Sequence, residues 1–422
     1  MRRLGPALGE RDFRLWWLAL LGMDISLQML EVAIGWEVYA LHRSALDLGW
    51  IGLAEFVPLF VLALPAGHLA DHVPRRLIFA GSLVIGAGVG IGLALVSSSG
   101  TIAVWPYLAL AAAAGVSMAL GTPAARAMTP TLVSADLLQS AMTLRAIAGQ
   151  AGMVIGPAIG GFLYGVSASL VYLLAAGACV LACLSVIAMH PAPAAEAAET
   201  GEVPAASVKS VLEGLRFVGR TQILLGAILL DLLAVLFGGA VALLPLFASS
   251  ILHVGPTGLG ILRAAPAVGA LLAAAVITRR PIGRRAGRTL LIVVGLYGVS
   301  MVVFGFSRTF VISLLALGVG GYVDLYSMNI RSTIAALASP DRLRGRVSAV
   351  EMVFIGASNQ LGAFESGLAA FLVGPVAAVA GGGAITIMLA VTWRYFFPAL
   401  AEVDRMEQIK PPGEAEVEIA LA

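Results

Sequence analysis

The 422-residue chain is 59% hydrophobic and 12% charged, whereas a soluble globular protein carries about 25% charged residues. That balance excludes a soluble fold, and a net charge of +2 hides a strong spatial bias; no nucleic-acid partner is expected. The two cysteines, Cys179 and Cys183, are four residues apart in one apolar stretch, so they read as small packing residues on one helix face and imply no disulfide framework.

A bilayer crossing needs about 20 mostly apolar residues. Twelve such stretches are predicted, at 13–41, 48–70, 77–97, 102–125, 137–164, 168–189, 221–248, 257–278, 289–307, 310–334, 346–373 and 376–397. The first follows Met1, Arg2 and Arg3 and is too long for a cleaved signal peptide, so it is a span. It carries Asp24, Gln28 and Glu31 at i, i+4 and i+7, which puts them on one helix face. Asp24 lies about 16 Å from Phe13 at 1.5 Å per residue, near mid-membrane. Span two carries Glu55. Span four has no arginine before Arg126 at its inner end. A loop with Pro130 and Asp136 then leads into span five, which holds Arg145, Gln150 and a run of small residues: Gly152, Gly156, Pro157, Gly160 and Gly161. Small residues at such spacing let helices approach closely, and the proline removes one backbone hydrogen bond.

The one long connection, 190–220, begins with an Ala/Glu/Pro-rich stretch that reads as a flexible linker. It ends at 207–220 in a pattern of apolar and charged residues at helical spacing, which predicts an amphipathic helix on the membrane surface. Beyond it, span seven carries Asp231, span eight Arg263, and span ten Asp324 and Asn329. Arg331 and Asp341 flank the next inner loop. Span eleven is the most polar, with Glu351, Asn359, Gln360 and Glu365. Glu37, Arg263 and Glu351 lie toward span ends, where facing water is the simpler reading.

Arginine placement orients the chain. With both termini inside, 22 of the 26 Lys and Arg residues fall in inner segments or adjoining span ends, against Arg43 and Arg308 outside; the positive-inside rule therefore predicts cytoplasmic termini. A shift of 205 residues places Arg126 on Arg331, Asp136 on Asp341 and Arg75 on Arg280. With six spans on either side of the linker, this predicts an all-α membrane protein of twelve transmembrane helices in two pseudo-symmetric six-helix bundles. The expected divisions are 1–189, 190–220, 221–397 and a cytoplasmic tail at 398–422.

Between spans two and three the chain reads Gly67-His-Leu69-Ala-Asp71-His-Val-Pro-Arg75-Arg76. This resembles the G-x-L-a-D-r-x-G-r-k loop motif of the major facilitator superfamily, with His72 and Pro74 as departures. The resemblance implies that Asp71 and Arg75 latch the cytoplasmic side against the start of span eleven, near 344–348. A carboxylate at a helix N-terminus gains about 0.3–1 kcal/mol from the helix dipole. Gly67, Leu69, Asp71, Arg75, Arg76, Arg126, Asp136, Arg331 and Asp341 form the expected cytoplasmic gate. The span-five run Gly152-x-x-x-Gly156-Pro157-x-x-Gly160-Gly161 is similar to the superfamily's antiporter motif, which marks exporters. Together with Asp341-Arg-Leu-Arg-Gly-Arg-Val, it resembles the bacterial branch that contains the enterobactin exporter.

The implied function is secondary active efflux of a siderophore-like or drug-like small molecule across the bacterial cytoplasmic membrane by alternating access. An importer, a uniporter, and a receptor or scaffold on the same fold are the competing readings. The chain has no Gly-x-x-x-x-Gly-Lys-Ser/Thr loop for ATP, no Ser/His/Asp set and no metal cluster, so no enzyme activity and no cofactor are expected. The expected partners are the lipid bilayer, a small-molecule substrate and protons, and the protein is expected to be monomeric.

Burying an ionisable group in a span costs about 2.5–3.5 kcal/mol even on lenient scales, so each is a functional candidate. Asp24, Gln28, Glu31, Arg145, Gln150, Asp231, Asp324 and Asn329 are the expected cavity and proton-coupling residues, with Asp24 or Asp231, then Glu31, as the exchanging carboxylate. Arg145 has a second reading, as a fixed partner of Asp24 or Glu31. Arginines in the cavity favour an anionic substrate and carboxylates a cationic one, and the charges point both ways.

Overall fold

The computed structural model describes residues 5–190, 208–280 and 284–409, with Ile282 and Pro411. The first part of the linker and the end of the tail lie outside the described residues, as do the side chains of Gly67 and Asp71.

In the first half, α1 (Arg11–His42), α2 (Ala45–His72), α3 (Arg75–Ser98), α4 (Trp105–Met128), α5 (Leu138–Tyr164) and α6 (Ala168–Ile187) follow the first six expected spans. Short, polar or proline-containing segments separate them. Helix α7 (Val208–Arg220) is the expected amphipathic helix. α8 (Gln222–Gly238) stops at Gly238 and Gly239, and the seventh span continues through a 3-10 turn at Val241–Leu243, the helical turn α9 (Leu244–Leu246) and a π turn at Phe247–Ile251. Pro245, which has no N–H to offer an earlier carbonyl, sits at the start of α9, where none is needed. Helices α10 (Gly255–Arg279), α11 (Ala286–Phe306), α12 (Phe310–Ala338), α13 (Asp341–Val373) and α14 (Pro375–Phe396) complete the second half, with the short α15 (Pro398–Ala401) in the tail.

Eleven of these helical runs are long and apolar enough to cross a membrane. The twelfth expected crossing, 346–373, lies within the 33 residues of α13. Glu351, Asn359, Gln360 and Glu365 reduce its apolar character. Such residues are tolerated in a membrane where they face protein or a water-filled cavity.

The chain divides into two compact units. One comprises Met1–Arg43, Ala54–Ala205 and Val254–Ala264; the other comprises Ser44–Leu53, Ala206–His253 and Ala265–Ala422. In the first, α1 packs on α5 and α6, and α3 on α4 and α6; in the second, α8 packs on α13 and α14, and α11 on α12 and α14. The pairing pattern is therefore the same in both, which is what a parallel six-plus-six repeat requires. The core of the first unit gathers Trp16, Phe79, Leu83, Ala148 and Val186 from four of its helices, and Trp16 stacks at a tilt on Phe79 with ring centroids 4.6 Å apart.

Helix α7 lies against the start of α13. Phe217 and Val218 are buried with Leu343, Val347 and Val350, and Arg346 pairs with Glu213. A Cβ on Gly214 would come within 2.9 Å of the Arg346 carbonyl, so the glycine permits the close approach. Part of the face expected to meet lipid is covered by protein in this way, while Leu212 and Leu215 stay exposed.

Candidate functional site

The small residues of α5 decide what surrounds Asp24. A Cβ placed on Gly152 would come within 2.5 Å of the Asp24 Cβ, one on Gly156 within 2.6 Å of the Gln28 Cβ, and one on Gly160 within 3.0 Å of the Met29 Cα. No real side chain fits there, so the glycines let α5 lie directly on the polar face of α1. Gly161, one residue round the helix, faces Gly260 of α10 within the same unit. The run therefore serves two contacts at once, with Pro157 buried between them.

Beside this contact the first unit holds a cavity of about 260 Å³, lined from α1, α3, α4, α5 and α6. Asp24, Arg126 and Arg145 line it, and among the described residues they are its only charged lining residues. Met23, Leu27, Leu83 and Met118 supply apolar wall, and Ser117 and Thr122 supply hydroxyls. Ser26, also in the wall, is committed: its hydroxyl donates to the Ala175 carbonyl at 2.9 Å and accepts from the Cys179 thiol. Arg145 feels the charges of both Asp24 and Arg126. Among the described residues, neither arginine forms an ion pair or a side-chain hydrogen bond.

Sequence reasoning places Arg126 in the cytoplasmic loop; the structure puts it in the last turn of α4, in the cavity wall. The helix runs on to Met128, past the apolar boundary that hydropathy marks, and carries the arginine inward.

The second unit holds the other cluster. Arg331 of α12 pairs with Asp231 of α8, with side-chain exposures of 7% and 11%, and its Nε donates to the Ser327 hydroxyl at 3.2 Å. Two small cavities flank the pair, each of about 10 Å³, roughly the room one water needs. Glu351 shares the first with Asp231 and Arg331; Asp324, Tyr297 and Ser327 share the second with Asp231. Both Glu351 and Asp324 interact electrostatically with Arg331. One guanidinium is thus shared among three carboxylates.

The remaining expected residues are scattered. Glu31 pairs with Arg263 of α10 inside the first unit, both partly buried. Gln28 lies beneath Gly156, and Gln150 is half-buried on α5. Asn329 is exposed, half a turn from Arg331. Among the gate residues, Arg76 donates to the carbonyls of Val186, at 2.9 Å, and Ile187, at the C-terminal end of α6, where a cation is favoured. Arg75, Leu69 and Asp136 are exposed. Asp341 starts α13 and pairs with Arg344 one turn on at 2.7 Å. The expected Asp71 contact lies outside the described side chains.

Glu37, read from the sequence as a water-facing residue near a span end, is 7% exposed. Tyr107 of α4 donates to its Oε1 at 2.8 Å, and Tyr172 of α6 donates to its Oε2. The available signal was a glutamate deep enough in a span to need partners.

The family model described as MFS_3, transmembrane secretion effector, matches residues 4–421. The chain is 28% identical over 392 residues to the multidrug efflux pump Tap of Mycolicibacterium fortuitum, covering 88% of this chain and 92% of Tap. It is 27% identical over 413 residues to the enterobactin exporter EntS of Shigella boydii serotype 18, covering 94% of each. Among solved structures it is similar to the nucleoside transporter NupG, with a TM-score of 0.70 and 14% identity, covering 93% of this chain and 99% of that one; at that identity the likeness speaks for the fold alone.

Proposed function

Because the chain belongs to the MFS_3 transmembrane secretion effector family, a family of membrane transporters and not of enzymes, we propose that it exports a siderophore-like or drug-like organic molecule from the bacterial cytoplasm in exchange for protons. In this reading it sits in the cytoplasmic membrane with both termini inside. The observation that carries the export reading is the glycine run of α5 seated on the polar face of α1 at Asp24 and Gln28. The antiporter-like motif there packs α5 onto the helix that carries Asp24, and Asp24 lines the neighbouring cavity with Arg126 and Arg145. The relation to Tap and EntS, both named as exporters, supports the same direction.

The proton site we assign is the cluster of Asp231, Asp324 and Glu351 around Arg331. Glu351 and Asp324 line the two water-sized cavities beside the Asp231–Arg331 pair, and carboxylates placed in a span beside such cavities are proton-relay candidates. Glu31, paired with Arg263 in the first unit, is the next candidate carrier.

The test is flux into proteoliposomes of the purified full-length chain, with a pH gradient imposed in either direction and a panel including a catecholate siderophore and tetracycline-like drugs. Export by exchange predicts uptake that runs against the proton gradient and stops when a protonophore is added. Flux indifferent to the gradient indicates a uniporter, and flux in the proton's own direction indicates an importer. A receptor or scaffold gives no flux.

A further inference from the structure

We propose that the cavity of the first unit takes the acidic head of an amphipathic organic anion. The proposal rests on the transporter reading and adds the substrate class. Sequence charges pointed both ways because five candidates were in play: Asp24, Glu31 and Asp231 against Arg145 and Arg263. The structure removes three of them. Glu31 and Arg263 neutralise each other, and Asp231 is neutralised by Arg331 in the other unit. Left in the cavity are Asp24 and two arginines, Arg145 and Arg126. Their sum is positive, and two guanidiniums lining one partly apolar cavity lower their energy by taking an anion between them.

The repeat sharpens this. Arg126 corresponds to Arg331 under the 205-residue shift, and the position of Asp231 corresponds to Ser26. In the second unit the arginine has its carboxylate built in. In the first, the equivalent position is a serine whose hydroxyl is already committed to the Ala175 carbonyl, so the charge that balances Arg126 must come from elsewhere.

Size and lining fix the rest. The cavity's 260 Å³ is at the small end of ligand pockets, which run about 300–1,000 Å³. It accommodates a small aromatic system, up to two fused rings, bearing its acid. Met23 and Met118, both in the wall, are soft thioethers suited to an aromatic face.

Asp24 then has a defined sign of action. A proton on Asp24 makes the cavity more positive and strengthens anion binding. Exchange of anion for proton needs the opposite coupling, so Asp24 tunes substrate affinity and the exchanged proton belongs to the second unit.

The test is titration calorimetry on the full-length protein in lipid nanodiscs, without a pH gradient, with 1-naphthoate, 1-naphthamide and 1-naphthylmethylammonium. Naphthoate is expected to bind about tenfold or more tightly than either of the others, a difference of one decade in Kd. Arg126→Gln and Arg145→Gln should each weaken naphthoate by about tenfold, Arg126→Lys by less, and Asp24→Asn should tighten it. Equal binding of the three probes, preference for the ammonium, no naphthoate binding, or unchanged naphthoate binding in both Gln variants overturns the proposal. The wild-type comparison stands even where a variant fails to fold. Because no gradient is used, failure of proton exchange leaves this result untouched. Gradient-driven export restricted to cations would overturn the anion assignment and leave the export reading in place.

Discussion

Under the 205-residue shift, the first unit presents Arg126 and Ser26 where the second presents Arg331 and Asp231, and the surroundings of the two arginines are opposite. Arg331 is buried against its aspartate, between two cavities of water size. Arg126 opens, without an ion pair among the described residues, onto a cavity more than twenty times larger than either. The helices that frame them differ in the same sense. The glycines at 152, 156 and 160 press α5 onto α1, whereas the shifted positions on α13 are Ala357, Leu361 and Glu365. There Gly362 approaches the carbonyls of Val235 and Leu236, and Ser366 donates to the Gly239 carbonyl at 2.7 Å. A duplicated scaffold has thus diverged into a half with room and unbalanced charge and a half with balanced charge and little room. The lesson is that in a repeat fold the informative residues are those where a shared position has lost its partner.

The largest effect is expected where the packing itself is broken. Gly156→Leu or Gly160→Leu places a branched side chain where a bare Cβ already meets Gln28 or Met29 at 2.6–3.0 Å, and overpacking of that order displaces the helix. Export should fall to background in each variant while the protein still inserts in the membrane, measured by flux beside membrane-fraction yield. Leucine is the native residue at the shifted position 361, so full activity in both variants would erase the difference between α5 and α13.

Next in size is the division of roles between carboxylates. Asp231→Asn should reduce gradient-driven flux by about tenfold or more, since it removes the central acceptor of the three-carboxylate cluster. Asp24→Asn should leave gradient dependence in place and change the substrate concentration at half-maximal rate. The measurement is flux against substrate concentration at two imposed gradients. The reverse pattern would move the proton site to the first unit.

Stability separates the two arginines directly. Arg331→Gln leaves Asp231 buried without its cation, and breaking one side of a buried pair costs about 3–5 kcal/mol. Arg126→Gln removes a guanidinium that has no ion pair to lose, and the expected change is about 0.5 kcal/mol or less in either direction. Thermal unfolding of the purified variants reads both, and Asp231→Asn combined with Arg331→Gln should recover much of the loss. Equal losses for the two single variants would mean that Arg126 is paired after all.

Much of this was legible in the residues. Hydropathy located the crossings, the arginine count and 205-residue shift gave the two-bundle plan, and the glycine spacing marked α5 as a close-packing helix. What the spacing does not carry is the partner. That Gly152 lies on Asp24, or that Asp231 meets Arg331 across 100 residues of chain, depends on which faces of different helices meet. The 205-residue match to Arg126 marks Arg331 as a gate residue, but its guanidinium lies against Asp231 of α8. Conversely, the apolar face of the helix at 208–220 was visible, while its burial on α13 needed a glycine at 214 whose role appears only against the Arg346 carbonyl.

The smallest expected effect tests a third place where the halves diverge. Glu37, Tyr107 and Tyr172 fall under the shift on Ala242, Ile312 and Ala377, so the buried carboxylate with two phenol donors belongs to the first unit alone. Each tyrosine donates to a different oxygen of Glu37, tying α4 and α6 to the outer part of α1. Glu37→Gln keeps the shape and one acceptor oxygen but turns the other position into an amide donor that faces a phenol. Hydrogen bonds to a charged group contribute about 1.5–3 kcal/mol and neutral ones about 0.5–1.5, so the loss should be about 1–2 kcal/mol. For units of this size that is a fall in Tm of several degrees. Tyr172→Phe should lose a similar amount, and the double variant should lose less than the sum because both changes break the same bond. Additive losses would show that Tyr172 and Glu37 act apart.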